Sequence, residues 1–192
     1  MIAQRRVAEF PIGVRRLNWG CGGHFAEGWI NCDRSLTGPH VHMLCDIVSD
    51  GIPATSDSFD YAVSVHALQE IPFDMLIPVL SELRRVLKPG GVLRLCLPDA
   101  RKAIDAYVRG DANHFVVPDE DFKSLGGKFI AHMLWYGHSR VMFTGDFIEE
   151  LLLRTGFAAV EHCRHGQTRS RFNGIIELDN REHESLFVEA TK

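Results

Sequence analysis

The sequence predicts one α/β domain built on a mostly parallel sheet, and three observations carry that expectation. Val14 to Trp19 is largely apolar and runs into the cluster Gly20-Cys21-Gly22-Gly23, as a strand does when it delivers its C-terminal end to a turn. From Phe73 to Leu87 the apolar residues Leu76, Val79, Leu80, Leu83, Val86 and Leu87 recur at steps of three and four, with charged residues between them, which is the pattern of an amphipathic helix. Val92 to Pro98 is then too apolar to face water on either side. Strand, helix and buried strand in that order imply a right-handed crossover between parallel neighbours.

The remaining elements follow from the same rules. Trp29–Asp33, Val41–Cys45 and Phe59–Val65 read as further strands, and Asp60 orders the start of the last of them. Lys88-Pro89-Gly90-Gly91 stops the helix. A later helix over Gly145–Arg154 is closed by Thr155-Gly156, with glycine where a C-cap favours it. Strands are expected over Ala158–Cys163 and Ser185–Thr191. Residues 111–143 hold aromatics and histidines in no clear period and read as an irregular insertion or lid.

Composition narrows the function classes. A chain of 192 residues, 45% hydrophobic, suffices for one core and is short for two, so residues 1–192 are expected to form a single domain. A net charge of −4 with dispersed basic residues disfavours a nucleic-acid partner. No apolar run approaches the length of a membrane span. Five cysteines without paired spacing, and no signal-peptide pattern, lead us to expect a reduced, cytoplasmic protein. His40-x-His42 and Cys163-x-His165 are lone pairs, so no metal site is expected.

The glycine loop is where chemistry is expected. A P-loop would end in Gly-Lys-Ser/Thr, which is missing here. A dinucleotide fingerprint would open a full helix, with its acid about 20 residues on. Here Asp33 lies 11 residues beyond Gly22, which leaves no room for the helix N-terminus that a pyrophosphate uses. Asp33 could otherwise cap a turn before Thr37-Gly38-Pro39.

"LNWGCG", the acid of "NCDRS", "DIVSDGIPATSDSFDYAVSVHALQEIP" and "LRRVLKPGGVLRLCLPD" together resemble the class I S-adenosylmethionine-dependent methyltransferases. The likeness is greatest to short-looped members, type-11-like, that are linked to saccharide and natural-product modification. It covers about residues 15–191, and "LDNREHESLFVEATK" looks like the closing antiparallel strand. The resemblance implies a Rossmann-like sheet, mostly parallel with an antiparallel C-terminal strand and helices on both faces. It implies S-adenosylmethionine as cofactor, with S-adenosylhomocysteine as its product. Gly20, Cys21 and Gly22 would line the methionyl and ribose side, Asp33 would accept the ribose hydroxyls, and Arg34 would lie beside the adenine. Asp46 would accept from the adenine amine while the Ile47 backbone donates to the ring. Asn18 stands where the family has an acid, and Gln69-Glu70 where it has Glu-His.

Such a ligand fits the loop physically. It carries no phosphate, so backbone that approaches closely and one acid for two hydroxyls suffice. The partner is expected to be a small-molecule acceptor. A hydroxyl on a saccharide or other polar metabolite is the leading reading, since Asp99, Asp119, Glu120 and Asp121 offer a polar rim. Its O-methylation needs a base, and His66, directly after the fourth strand, is the first candidate, with His138 second and Asp99 at the same rim. Methylation of nitrogen or carbon, or a catalytically silent cofactor-binding subunit, are the alternatives.

Overall fold

The computed structural model describes residues 13–35 and 41–192, so His40 and Thr37-Gly38-Pro39 lie outside the described residues. Its centre is a seven-stranded sheet of β1 (Arg16–Trp19), β2 (Ile30–Asp33), β3 (Met43–Leu44), β4 (Phe59–Val65), β5 (Leu87–Pro98), β6 (Ala159–Cys163) and β7 (Ser185–Thr191). Their order is β3-β2-β1-β4-β5-β7-β6. The first five strands pair in parallel, and β7 lies antiparallel between β5 and β6. The chain steps outward from β1 to β3 and then returns to β1's other side as β4. That reversal opens a crevice at the C-terminal ends of β1 and β4.

Helix α1 (Leu76–Val86) follows the expected period, and Leu76, Val79, Leu80, Leu83 and Val86 are all buried. Together with α4 (Gly145–Arg154), it covers one face of the sheet in the main core. Each such side chain stabilises the fold by roughly 1.5–3 kcal/mol. Lys88-Pro89-Gly90-Gly91 does stop the helix, but it does so from within β5, where the pairing to β4 shifts register between Phe59 and Tyr61. Asp60 holds this irregularity, since its carboxylate accepts from Lys88 Nζ at 2.8 and 2.9 Å and from the Arg15 amide at 2.8 Å.

Two helices depart from the sequence expectation. Helix α2 (Ala100–Arg109) follows β5 directly, and α3 (Leu125–Leu134) occupies the stretch expected to be irregular. They pack on each other through Ala103, Ala106, Phe115 and Ala131, a small separate core beyond the end of the sheet. The small residues Gly126, Gly127 and Ala131 blur the period of α3 in the sequence.

The second face of the sheet carries the chain between β6 and β7. Phe172, Ile175 and Leu178, around a single helical turn at Asn173–Ile176, pack on Trp29, Tyr61, Val63 and Val92. What fastens this segment is a charge. Arg94 on β5 is 0% exposed and donates to Asp179 at 2.6 and 2.7 Å and to Glu189 at 2.6 Å. It also reaches the carbonyls of Arg164 and Gln167.

Arg94→Met is expected to leave two buried carboxylates uncompensated and to destabilise the protein by about 3–5 kcal/mol. Urea unfolding checks this, and an unchanged midpoint would refute it.

Candidate functional site

A cavity of about 610 Å³ opens at the chain reversal between β1 and β4. Gly20 makes it possible. Its φ is +68°, and a Cβ there would sit 2.3 Å from the Cβ of Ala67, so the two loops can cross only if this residue has no side chain. The Gly20 and Cys21 amides both donate to the Cys32 carbonyl at 2.9 and 3.1 Å, which holds the turn over the end of β2. Asn18, where the resemblance leads one to expect an acid, is 5% exposed and serves the loop itself, donating to Asn31 Oδ1 and to the His24 carbonyl.

Gly20, Cys21, Gly22, Asp33, Arg34, Asp46 and Ile47 all border this one cavity. Asp33 accepts from the Gly22 amide at 2.8 Å through one oxygen and from Ser35 through the other. A carboxylate has about four lone-pair sites, so capacity for ligand hydroxyls remains. Asp46 accepts from the Val48 amide at 3.0 Å and orients the loop that carries Ile47. Arg34 pairs with Glu70 at 3.6 Å across the mouth.

Of the expected catalytic residues, only His66 reaches the crevice. It borders both the large cavity and a smaller one of about 130 Å³ beside it. Its φ is +50°, a left-handed conformation for a non-glycine residue. Nε2 meets Ser185 Oγ at 2.7 Å. Burial pulls its pKa down to about 4, with Glu184 opposing and Arg181 and His132 adding to the fall, so the ring is neutral at pH 7. Asp99 borders neither cavity. It is the N-cap of α2, and its Oδ1 accepts from the amides of Arg101 and Lys102 at 2.9 and 3.4 Å. His138 is exposed and also borders neither cavity, although its neighbours Ser139 and Arg140 do.

Residues 177–181 were missed as site residues. Glu177 to Arg181 wall the large cavity, just ahead of the closing strand, which spans Ser185–Thr191 as expected. The polar run Glu177, Asp179, Asn180, Arg181 was the available signal. Gln69, His132 and Glu184, which border the small cavity, lie on three distant parts of the chain, and nothing local distinguishes them. Among the described residues no group of three or more His, Cys, Asp or Glu is placed to hold a metal ion, and no helix is long and apolar enough to cross a membrane.

Residues 19–95 match the family described as Methyltransferase domain. A methyltransferase of Thermotoga maritima that depends on S-adenosylmethionine superposes with a TM-score of 0.58 at 18% identity, covering 93% of this chain and 82% of that one. The fold is that of the S-adenosylmethionine-dependent methyltransferases. A Haemonchus contortus phosphoethanolamine N-methyltransferase 2, in complex with S-adenosylhomocysteine, gives a TM-score of 0.56 at 16% identity over 94% of this chain and 49% of its own. Among curated relatives, the demethylmenaquinone methyltransferase of Lactococcus lactis is 30% identical over 116 residues, which is 60% of this chain and 45% of that enzyme. A Staphylococcus carnosus enzyme of the same name is 32% identical over 57% of this chain and 45% of its own length. The chain thus spans about half the length of the curated relatives it matches.

The cavity suits the cofactor of this fold. The Gly20 cradle excludes any side chain, and the Asp33 carboxylate stands at the loop. The cavity volume lies within the range of about 300–1,000 Å³ usual for small-molecule sites.

The depressed His66 pKa has a consequence for stability. Below about 6.5 the unfolded chain binds a proton that the folded chain refuses until about 4, so stability is fully present above pH 6.5 and falls with pH across that window. His114 and His132, lowered chiefly by burial, act in the same direction. Urea unfolding at several pH values between 4 and 7 should show this slope, and a shallower one in His66→Asn, where asparagine tolerates the left-handed backbone. An identical slope in the two proteins would refute the assignment.

Proposed function

We propose that this chain is an S-adenosylmethionine-dependent methyltransferase whose acceptor is a hydroxyl on a saccharide or another small polar metabolite. The observation that carries the reading is convergence. The glycine turn, Asp33, Asp46 and Ile47 meet in one cavity at the chain reversal, and a second, polar cavity opens from it at His66. When bound, the cofactor supplies a methyl group on a sulfonium, already an excellent donor. The work left to the protein is to hold the acceptor in line and to exclude water, and positioning of this kind is worth about 7–11 kcal/mol. Segment 177–181 closes one side of the chamber. His66 meets the acceptor as a neutral ring, able to accept a hydrogen bond from it.

A carbon acceptor is the second reading. Curated relatives include demethylmenaquinone methyltransferases, and Trp135, which borders the small cavity, belongs to a stretch in which Ile130, Leu134 and Tyr136 are also exposed. A transfer screen with labelled cofactor against sugars, phenols, reduced quinones and amines separates the two. Sugar or phenol ethers support the hydroxyl reading, a product methylated on carbon supports the second, and cofactor binding without any product supports a silent binding subunit.

Asp33→Ala is expected to weaken S-adenosylmethionine binding roughly 10- to 150-fold, the equivalent of one lost hydrogen bond to a charged group at about 1.5–3 kcal/mol. Calorimetry checks this, with circular dichroism to show that the loop has kept its fold. Unchanged affinity would remove Asp33 from the cofactor site, and tight binding of a nicotinamide dinucleotide instead would overturn the reading.

A further inference from the structure

We propose that Cys32 and Cys45 form a redox-sensitive pair beside the large cavity: a peroxide joins them in a disulfide that weakens cofactor binding, and bound cofactor opposes the oxidation. The link to the cofactor rests on the reading of that cavity given above. The disulfide itself stands without it.

Both residues are free thiols, and their sulfurs meet at 3.1 Å although they lie 13 positions apart in the chain. A disulfide bond is about 2.05 Å long, so an approach of about 1 Å joins them. Cys32 lies on β2, paired with Met43, and Cys45 follows directly after β3. Cys32 is 0% exposed and does not border the cavity, whereas Cys45, 5% exposed, does. An oxidant that enters the cavity therefore meets Cys45 first.

The pair is also polarised. The hydrogen bond between the thiols pulls Cys45 below its ordinary value, against burial and the neighbouring acids, and the same bond together with burial pushes Cys32 far above its own. Cys45 thus has thiolate character while Cys32 holds the proton, and the thiolate is the form that attacks a peroxide. Cys21 borders the same cavity, but burial and the Asp33 charge push it up to about 11, which leaves it the poorer nucleophile at neutral pH.

The chemistry balances with the peroxide as oxidant. The Cys45 sulfur attacks one peroxide oxygen, the O–O bond breaks, and the departing hydroxide takes up the proton that Cys45 gave up, forming water and leaving a sulfenic acid. The Cys32 sulfur then attacks the Cys45 sulfur, the S–O bond breaks, and the hydroxide leaves with the Cys32 proton as a second water. The two thiols lose two electrons and two protons, and a thiol reductant reverses the change.

The backbone of both cysteines belongs to the cofactor cradle. The Cys32 carbonyl accepts from the Gly20 and Cys21 amides, and the Cys45 amide donates to the Asp33 carbonyl at 2.9 Å. Asp33 and Asp46, which the resemblance assigns to ribose and adenine, each follow one of the two cysteines directly. Drawing the sulfurs together shifts these acids relative to one another, and a misplacement of about 1 Å is enough to cost up to about 10²-fold in a positioned site. By linkage, a ligand whose binding the disulfide weakens disfavours the disulfide in return.

The test uses the full chain, freshly reduced, with hydrogen peroxide as oxidant and S-adenosylhomocysteine as ligand. Cleavage after Glu27 and after Arg34 puts Cys21, Cys32 and Cys45 on separate peptides, so mass spectrometry without reductant identifies any crosslink. A Cys32–Cys45 disulfide that dithiothreitol reverses is expected, and S-adenosylhomocysteine at about ten times its dissociation constant should slow its formation about tenfold. Calorimetry should show roughly 10- to 100-fold weaker binding of S-adenosylhomocysteine to the oxidised chain, restored by dithiothreitol. Cys45→Ala, which removes the attacking thiol, should bind equally before and after peroxide. Thiols that stay free, oxidation that stops at a sulfenic or sulfinic acid on Cys45, or a crosslink to Cys21 instead overturns the pair. A Cys32–Cys45 crosslink with unchanged affinity overturns the effect on binding. A reduced chain that binds no S-adenosylhomocysteine removes the cofactor reading, while the mass measurement still decides whether the pair oxidises.

Discussion

The buried charge of Arg94 is the interaction on which the rest of the structure leans. Its guanidinium has five N–H donors in a rigid fork, and five hydrogen bonds leave it, two to Asp179, one to Glu189 and two to main-chain carbonyls. Full satisfaction is what makes a 0%-exposed charge tolerable in the middle of a sheet. It also binds three stretches of chain to one point, namely β5, β7 and the segment between β6 and β7. That segment walls the large cavity and leads into Glu184, which borders the small one, so the geometry of both chambers is referred back to Arg94.

A second constraint is steric and lies across the crevice. The turn after β1 and the turn after β4 come so close that no Cβ fits at Gly20, and His66, next to Ala67, takes a left-handed backbone conformation. The same crossing that lets backbone approach a ligand places the one histidine of the β4 turn between the two chambers. A hydrogen bond between the His66 ring and Ser185, and one donated by Gln69 to the His66 carbonyl, hold that strained residue in place.

Burial then sets the chemistry. His66, His114 and His132 are all pushed toward the neutral form, chiefly by loss of water, and of these His66 and His132 border the small cavity. Arg181, which borders both cavities, is paired with Glu184.

What the sequence by itself determined is what local spacing can carry. The period of α1, the unbroken apolar run of β5, and the glycine turn followed by an acid within 11 residues need only near neighbours to be meaningful, and Asp33 meets the loop because β1 and β2 pair with Leu17 opposite Ile30. Asp99 shows the limit from the other side, since a purely local rule, the helix N-cap, explains it better than the rim chemistry expected of it. Arg94 sits in an apolar strand pattern in which nothing nearby announces a partner 85 or 95 residues on. Gln69, His132 and Glu184 are single residues on a turn, on a helix with a blurred period and on a loop before β7. Only the tertiary structure decided that they face one another, because side chains this far apart along the chain are brought together by the order of the strands and by the buried charge that pins the last loop, neither of which is encoded in any short window.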